Sequence, residues 1–496
     1  MSDVLNIIKD KTLTFEQRVI ALARAAENSI DVLGITEEIQ KYRDNGVICD
    51  LGEGNAPYRP RYIVPDYNKF MEQGSEFLKL QPPTDIWEAV NNLLILYKHV
   101  PSITTFPVYI GNIDKLLDPF VNDEEEAYKA IKFFMLHIDR TITDSFCHAN
   151  IGPEKTKAGE IILRVQRELE VPIPNITIKY DEEITPNDFA IDAINTALIT
   201  AKPSFANHKM FTEDIENYGI ASCYNGLKIG GGAYTLVRLN FGRLVDHAEN
   251  KDHFMNELFP DAVEKMLQYI DMRINFLVEE SGFFENHFLL KEGLINSENF
   301  TGMFGEVGIA DCVNKLLKCD RLEDRFGHSE VATELGVEII DKLNEMVNNH
   351  YNKHCKFTDG KFMLHAQVGI DTDNGIAPGC RIPIGEEPEI FDHLKVCAKF
   401  HKYFPSGIGD IFSFDTTVKK NPQYILDIIK GSFSIGVRYF SPYASDCDVV
   451  RITGYLVKRS EIEKIEKGEA VLRDTTVLGA GAVKNQRVLQ RKERSK

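Results

Sequence analysis

The stretch "DVVRITGYLVKRSE", residues 448–461, decides how the rest of the chain is read. Val449, Val450, Ile452 and Thr453 favour extended backbone. Gly454 breaks the run before Tyr455, Leu456 and Val457 resume it. A glycine inside a strand weakens it, so it marks a bulge, a close approach to the backbone, or chemistry.

A second unusual stretch lies far upstream: "IASCYNGLKIGGGAYTLVRLN", residues 220–240. A strand reaches Cys223, and Gly226, Gly230, Gly231 and Gly232 follow within ten residues. That density of glycine permits positive φ and close packing. Taken alone, a buried cysteine ahead of a flexible loop explains it equally well.

Composition bounds the alternatives. With 496 residues, 43% hydrophobic and 27% charged, the chain has an ordinary globular make-up and length for a large core. The 57 Lys and Arg against 75 Asp and Glu leave a net charge of −18, which argues against a nucleic-acid partner. The basic tail (Arg487, Arg491, Lys492, Arg494, Lys496) reads as a solvated charge run. No signal peptide and no run of about 20 apolar residues is seen, so a cytoplasmic protein without a membrane span is expected. The nine cysteines are scattered without a CxxC pair, which supports neither a zinc knuckle nor a thioredoxin-type site.

Helical periodicity runs through the first 45 residues and through 125–170, 261–282, 305–318 and 329–350. Strand patterns fall at 174–181, 218–223, 362–369 and 433–440. Interleaving to the end favours one large α/β domain, barrel-like, over a string of modules. Several chemistries fail on their motifs. No Walker loop and no HExxH occurs, "LGAGAV" (478–483) lacks its third glycine, and "FPSGIG" (404–409) is no nucleophile elbow. His350, His354 and Cys355 lie close together without an evident further ligand, so no metal is assigned.

Together the two glycine stretches carry a resemblance. "YFSPYASDCDVVRITGYLVKRS" (439–460) resembles the C-terminal glycine loop of glycyl radical enzymes, with Arg451 three residues before the radical glycine and Tyr455 after it. "SCYNGLKIGGGAYTLVRLNFGRL" (222–244), "FPVYIGNIDKLLDPF" (106–120) and "FTGMFGEVGIADCVNKL" (300–316) resemble the YjjI-type glycine radical enzymes, and the likeness spans the whole chain. The resemblance implies a ten-stranded α/β barrel in which a Cys loop (about 220–235) and a Gly loop meet. Residues 1–430 would form the barrel with an N-terminal helical segment, and 431–496 a C-terminal glycyl radical domain.

It also implies a mechanism. An α-carbon radical at Gly454 is delocalised into the flanking amides, and a Cβ would crowd it. Gly454 would then be a protein-derived cofactor. It would take hydrogen from Cys223, whose thiyl radical would attack a small polar substrate. A radical-SAM activase, holding S-adenosylmethionine and a [4Fe–4S] cluster, is the implied partner, and a homodimer the implied assembly. The reaction class is less constrained. Dehydratases of the superfamily carry a Glu two residues after the cysteine, and here Asn225 stands there. Pyruvate formate-lyase pairs two adjacent cysteines, and here Ser222 and Tyr224 flank Cys223. Anaerobic ribonucleotide reductase carries a C-terminal four-cysteine zinc site that this chain lacks. Elimination by a lyase is the first reading. Carbon–carbon cleavage or acyl transfer, with coenzyme A as co-substrate, is the alternative, and a non-catalytic homologue the third. Tyr224 and Asn225, which adjoin Cys223, are the candidate substrate contacts, and Glu306, His365 and Asp415 the acid/base candidates, these three each with a bland counterpart: a surface or helix-cap Glu, a core histidine, a helix-capping Asp. Arg238 suits either an anion or a structural ion pair.

Overall fold

The computed structural model describes residues 2–103, 106–366, 373–452 and 455–495. Gly454 and Thr453 therefore lie outside the described residues. Two sheets organise the chain. The larger has seven strands in the order Glu493–Arg494, Asp410–Phe414, Tyr439–Ala444, Ser204–Asn207, Asn175–Tyr180, His148–Ile151, Tyr109–Asn112. The four strands from Tyr109 to Asn207 run parallel, as do the three C-terminal ones. The two groups meet antiparallel, with Tyr439 opposite Ala206. Every residue of Asn175–Tyr180 is buried, the polar Asn175, Thr177 and Lys179 included.

Helices cross between the parallel strands: Glu124–Thr141, Lys157–Leu169 and Asn187–Thr200. The first is fixed by sequence chemistry at both ends. Asp123 accepts from the Glu126 amide, three glutamates fill the first turn, and Arg140 sits in the last. The second sheet has five strands: Ile48–Cys49, Tyr62–Val64, Gly231–Asn240, Phe300–Val307 and Met363–Ala366. Its last three run parallel. Among the described residues no ladder joins these two sheets.

Three sequence expectations change. Residues 305–307 continue the strand Phe300–Val307, and the helix starts at Ile309. The strand placed at 433–440 is Tyr439–Ala444, because Pro422–Ser434 is an amphipathic helix that consumes the start of that apolar run. The basic tail is not solvated throughout. Arg491 and Arg494 are buried, since Glu493–Arg494 pairs with Asp410–Phe414.

Beyond Ala444 the chain leaves the sheet and forms a hairpin, Val449–Arg451 with Leu456–Lys458. Helices Arg459–Glu466 and Asp474–Asn485 follow. Val450, Ile452, Tyr455, Val457, Ile462, Ala482 and Val488 form a small core of their own. No described helix is long and apolar enough to cross a membrane.

Candidate active site

Cys223 stands at the tip of a hairpin. Tyr218–Ala221 pairs antiparallel with Asn225–Lys228, leaving Ser222, Cys223 and Tyr224 as the turn, with Ser222 at φ 57°. Asn150 clamps the rising strand, donating to the Ile220 carbonyl at 3.0 Å and accepting from its amide at 2.7 Å. Two close approaches explain glycines here. A Cβ on Gly219 would lie 2.7 Å from the Tyr109 ring, and one on Gly226 2.6 Å from Phe211.

The hairpin tip opens on a cavity of about 330 Å³. Cys223, Asn225, His365 and Tyr455 all line it. The Cys turn and the residue after Gly454 therefore share one cavity. The C-terminal hairpin is closed next to the undescribed pair by the Ile452 amide donating to the Tyr455 carbonyl at 3.1 Å.

The electrostatics favour a neutral interior. Burial pushes the Cys223 thiol up to about 12, so it carries its hydrogen at neutral pH. That state suits hydrogen-atom transfer rather than thiolate attack. Burial also lowers His365 to about 3. Its Nδ1 donates to the Ser406 carbonyl at 3.3 Å, which leaves Nε2 as an acceptor. The Asn225 Oδ1 is buried without a hydrogen-bond partner among the described residues. A buried amide oxygen left unpaired is costly and is expected to meet a ligand or water.

Other predicted residues sit elsewhere. Tyr224 packs against Tyr439 and His365 and donates to the Ala366 carbonyl at 2.7 Å. Arg451 is fully buried and donates from Nε and Nη2 to the Ala201 carbonyl at 3.2 and 2.6 Å, fixing the base of the glycine hairpin. Glu306 does not line the cavity. Its register partner is Ala366, so strand alternation puts it on the face opposite His365. There burial raises its carboxyl to about 8, and the Cys380 thiol donates to Oε1 at 3.5 Å. Asp415 is not brought to the cavity either. It is half-buried and accepts from the Thr417 amide at 2.8 Å as a helix cap. Arg238 is a structural ion pair with Asp373, both buried.

Sequence reasoning missed Arg24, Arg61, Asp144 and Asp474, which also line the cavity. They come from four remote segments, and no local pattern marks them. Burial raises the Asp474 carboxyl.

One group of potential metal ligands is found among the described residues: His393, Cys397 and Asp410. Its atoms are already spent. His393 Nε2 donates to Asp410 Oδ2 at 2.8 Å, and Arg494 Nη2 donates to His393 Nδ1 at 2.9 Å. His350 and His354 pair with Asp271 and Glu279.

Comparison with known proteins decides the family. The model of the glycyl radical enzyme YjjI-like family matches residues 13–494.

The chain belongs to that family.

An uncharacterized protein of Haemophilus influenzae is 50% identical over 488 residues, covering 97% of this chain and 95% of its own. The uncharacterized protein YjjI of Escherichia coli is 42% identical over 494 residues, covering 98% and 95%. Among solved structures, hydroxyproline dehydratase from Clostridioides difficile with trans-4-hydroxy-L-proline bound has a TM-score of 0.70 at 13% identity, covering 100% of this chain and 88% of that one. The anaerobic ribonucleotide reductase of Thermotoga maritima with glycerol in the active site has 0.70 at 11% identity, covering 94% of each. The glycerol-bound B12-independent glycerol dehydratase from Clostridium butyricum has 0.66 at 12% identity, covering 97% and 85%. The fold is thus the α/β fold of glycyl radical enzymes. Membership makes the chain an enzyme that works through a protein-derived glycyl radical.

Proposed function

We propose that this enzyme stores its radical on Gly454, relays it to Cys223, and uses the thiyl radical to eliminate water or another leaving group from a small polar substrate. The observation that carries the reading is the shared cavity, walled by Cys223 from one hairpin and Tyr455 from the other. The Gly454 radical takes the hydrogen of the Cys223 S–H. The thiyl radical takes a hydrogen atom from a substrate carbon, the substrate radical loses its leaving group, and the thiol returns the hydrogen to the product radical. Asn225 Oδ1 and His365 Nε2 accept from substrate hydroxyl or N–H groups, Tyr224 supports the turn from behind, and Asp474 serves as acid/base. Arg451 and Tyr455 hold the radical loop. The two sheets make the two halves of the barrel around the site.

Among the described residues Cys223 is the one cysteine in the cavity wall. That supports elimination over acyl transfer to coenzyme A, in which a second thiol carries the acyl group. The activating partner is a radical-SAM enzyme, and the unit it handles is the segment after Ala444, which has its own small core.

Electron paramagnetic resonance after anaerobic activation tests the assignment. A glycyl doublet that Gly454→Ala abolishes is expected. No doublet, or one that survives that substitution, overturns it. Oxygen should then cleave the active enzyme at Gly454 and release the 42 residues that follow (496 − 454).

A further inference from the structure

A second cavity, of about 260 Å³, lies at the other end of the Cys hairpin. Asn112, Glu154, Lys179 and His208 line it, each at or just beyond the carboxyl end of one of the four parallel strands. The Cys223 cavity instead meets Val108 and Phe146, which precede two of those strands. Open parallel sheets bind ligands outside the carboxyl ends of their strands.

We propose that this cavity binds a small oxyanion, a carboxylate or a phosphate, at a site separate from the radical cavity. Lys179 is its deepest cation, 5% exposed, and among the described residues no carboxylate is in ion-pair contact with it, although the Asp114 and Glu154 charges act on it from further off. Its Nζ makes one hydrogen bond, to the Tyr218 carbonyl at 2.6 Å, and lies 4.2 Å from the centre of the Tyr218 ring. An ammonium has three donors, so that bond leaves donor capacity for a ligand on the side the ring does not cover. Burial brings this amine down to about 7, and a bound anion would restore its charge. The Asn112 Oδ1 is buried without a hydrogen-bond partner among the described residues, so a hydroxyl on the same ligand has an acceptor.

Lys115 supplies a second cation at the rim, where the Glu154 carboxylate sits on it at 2.6 Å. Both side chains are substantially exposed. Glu154 therefore occupies the place an incoming oxyanion would take, and can swing away into water. The wall also includes Tyr218, the first residue of the Cys hairpin. An anion on Lys179 is thus one hydrogen bond from the element that carries Cys223.

Calorimetric titration of the radical-free full chain with sulfate at pH 6.5 tests this. Phosphate and malonate, titrated in parallel, separate the two oxyanion classes. Saturable one-to-one binding is expected. Lys115→Ala and Lys179→Met should each weaken it about tenfold or more, as loss of a charge-assisted contact does. Glu154→Gln should tighten it, and Arg24→Ala, at the radical cavity, should leave it unchanged. Lys115→Ala keeps the test sound if Lys179→Met fails to fold. No saturable binding of any of the three anions, or binding lost with Arg24→Ala and kept with Lys115→Ala, overturns the proposal.

Discussion

Glu306→Gln should make the enzyme's thermal stability less sensitive to pH. The carboxyl moves from an ordinary 4.5 to about 8 in the fold, because it is buried without a cationic partner in contact. An acid raised in the folded state binds more protons folded than unfolded between those values. Stability is then full below 4.5 and falls as pH rises to 8, by about 1.4 kcal/mol per unit. Between pH 5.5 and 8 the loss amounts to about 3 kcal/mol. Unfolding entropy of about 2.1 cal/mol/K per residue gives about 1 kcal/mol/K for a chain this long, so the expected effect is about 3 °C. Gln keeps the shape and accepts from Cys380 but does not ionise. Calorimetric scans of both proteins at fixed rate should therefore show the Tm gap moving by about 3 °C in favour of Gln between pH 5.5 and 8. Any constant cost of burying the amide shifts both ends equally. A gap that stays constant across that range would refute a buried, titrating carboxyl without a cation beside it at 306.

Cys223→Ser should keep the glycyl doublet after activation and form no product, which paired resonance and product assays would read. Arg491 donates to the Arg451 carbonyl at 3.3 Å and to that of Ile452 at 3.5 Å. Arg491→Ala should speed amide exchange in Val449–Lys458 by about tenfold, the loss of roughly one charged hydrogen bond. Gly226→Val would force a side chain onto Phe211, costing about 1–3 kcal/mol by overpacking and lowering Tm.

The two hairpins that wall the proposed site carried local marks in the sequence: a glycine interrupting an extended run beside Tyr455, and a cysteine in a glycine-rich turn. Neighbours set by long-range packing left no such marks. Glu306 looked able to face inward, yet its face is decided by pairing with Ala366, sixty residues away. Asp415 satisfied two readings, and the local one, a helix cap, is the one found. The basic tail misled because its partners are distant: Arg494 meets His393 and Pro388, and Arg491 the glycine hairpin. The helix Pro422–Ser434 and the strand after it share one apolar run that periodicity alone did not divide.

Strand Asp410–Phe414 has Tyr439–Ala444 on one side and Glu493–Arg494 on the other. The chain between 445 and 492 is therefore a tether pinned at both ends to a single strand. Tethering turns re-docking into an intramolecular event, with an effective concentration in the millimolar range for flexible connections. Any partner proposed to draw the glycine hairpin out would have to outcompete a receptor to which the hairpin stays tethered. After such a partner dissociated, recovery would be first order and independent of how much enzyme the solution holds.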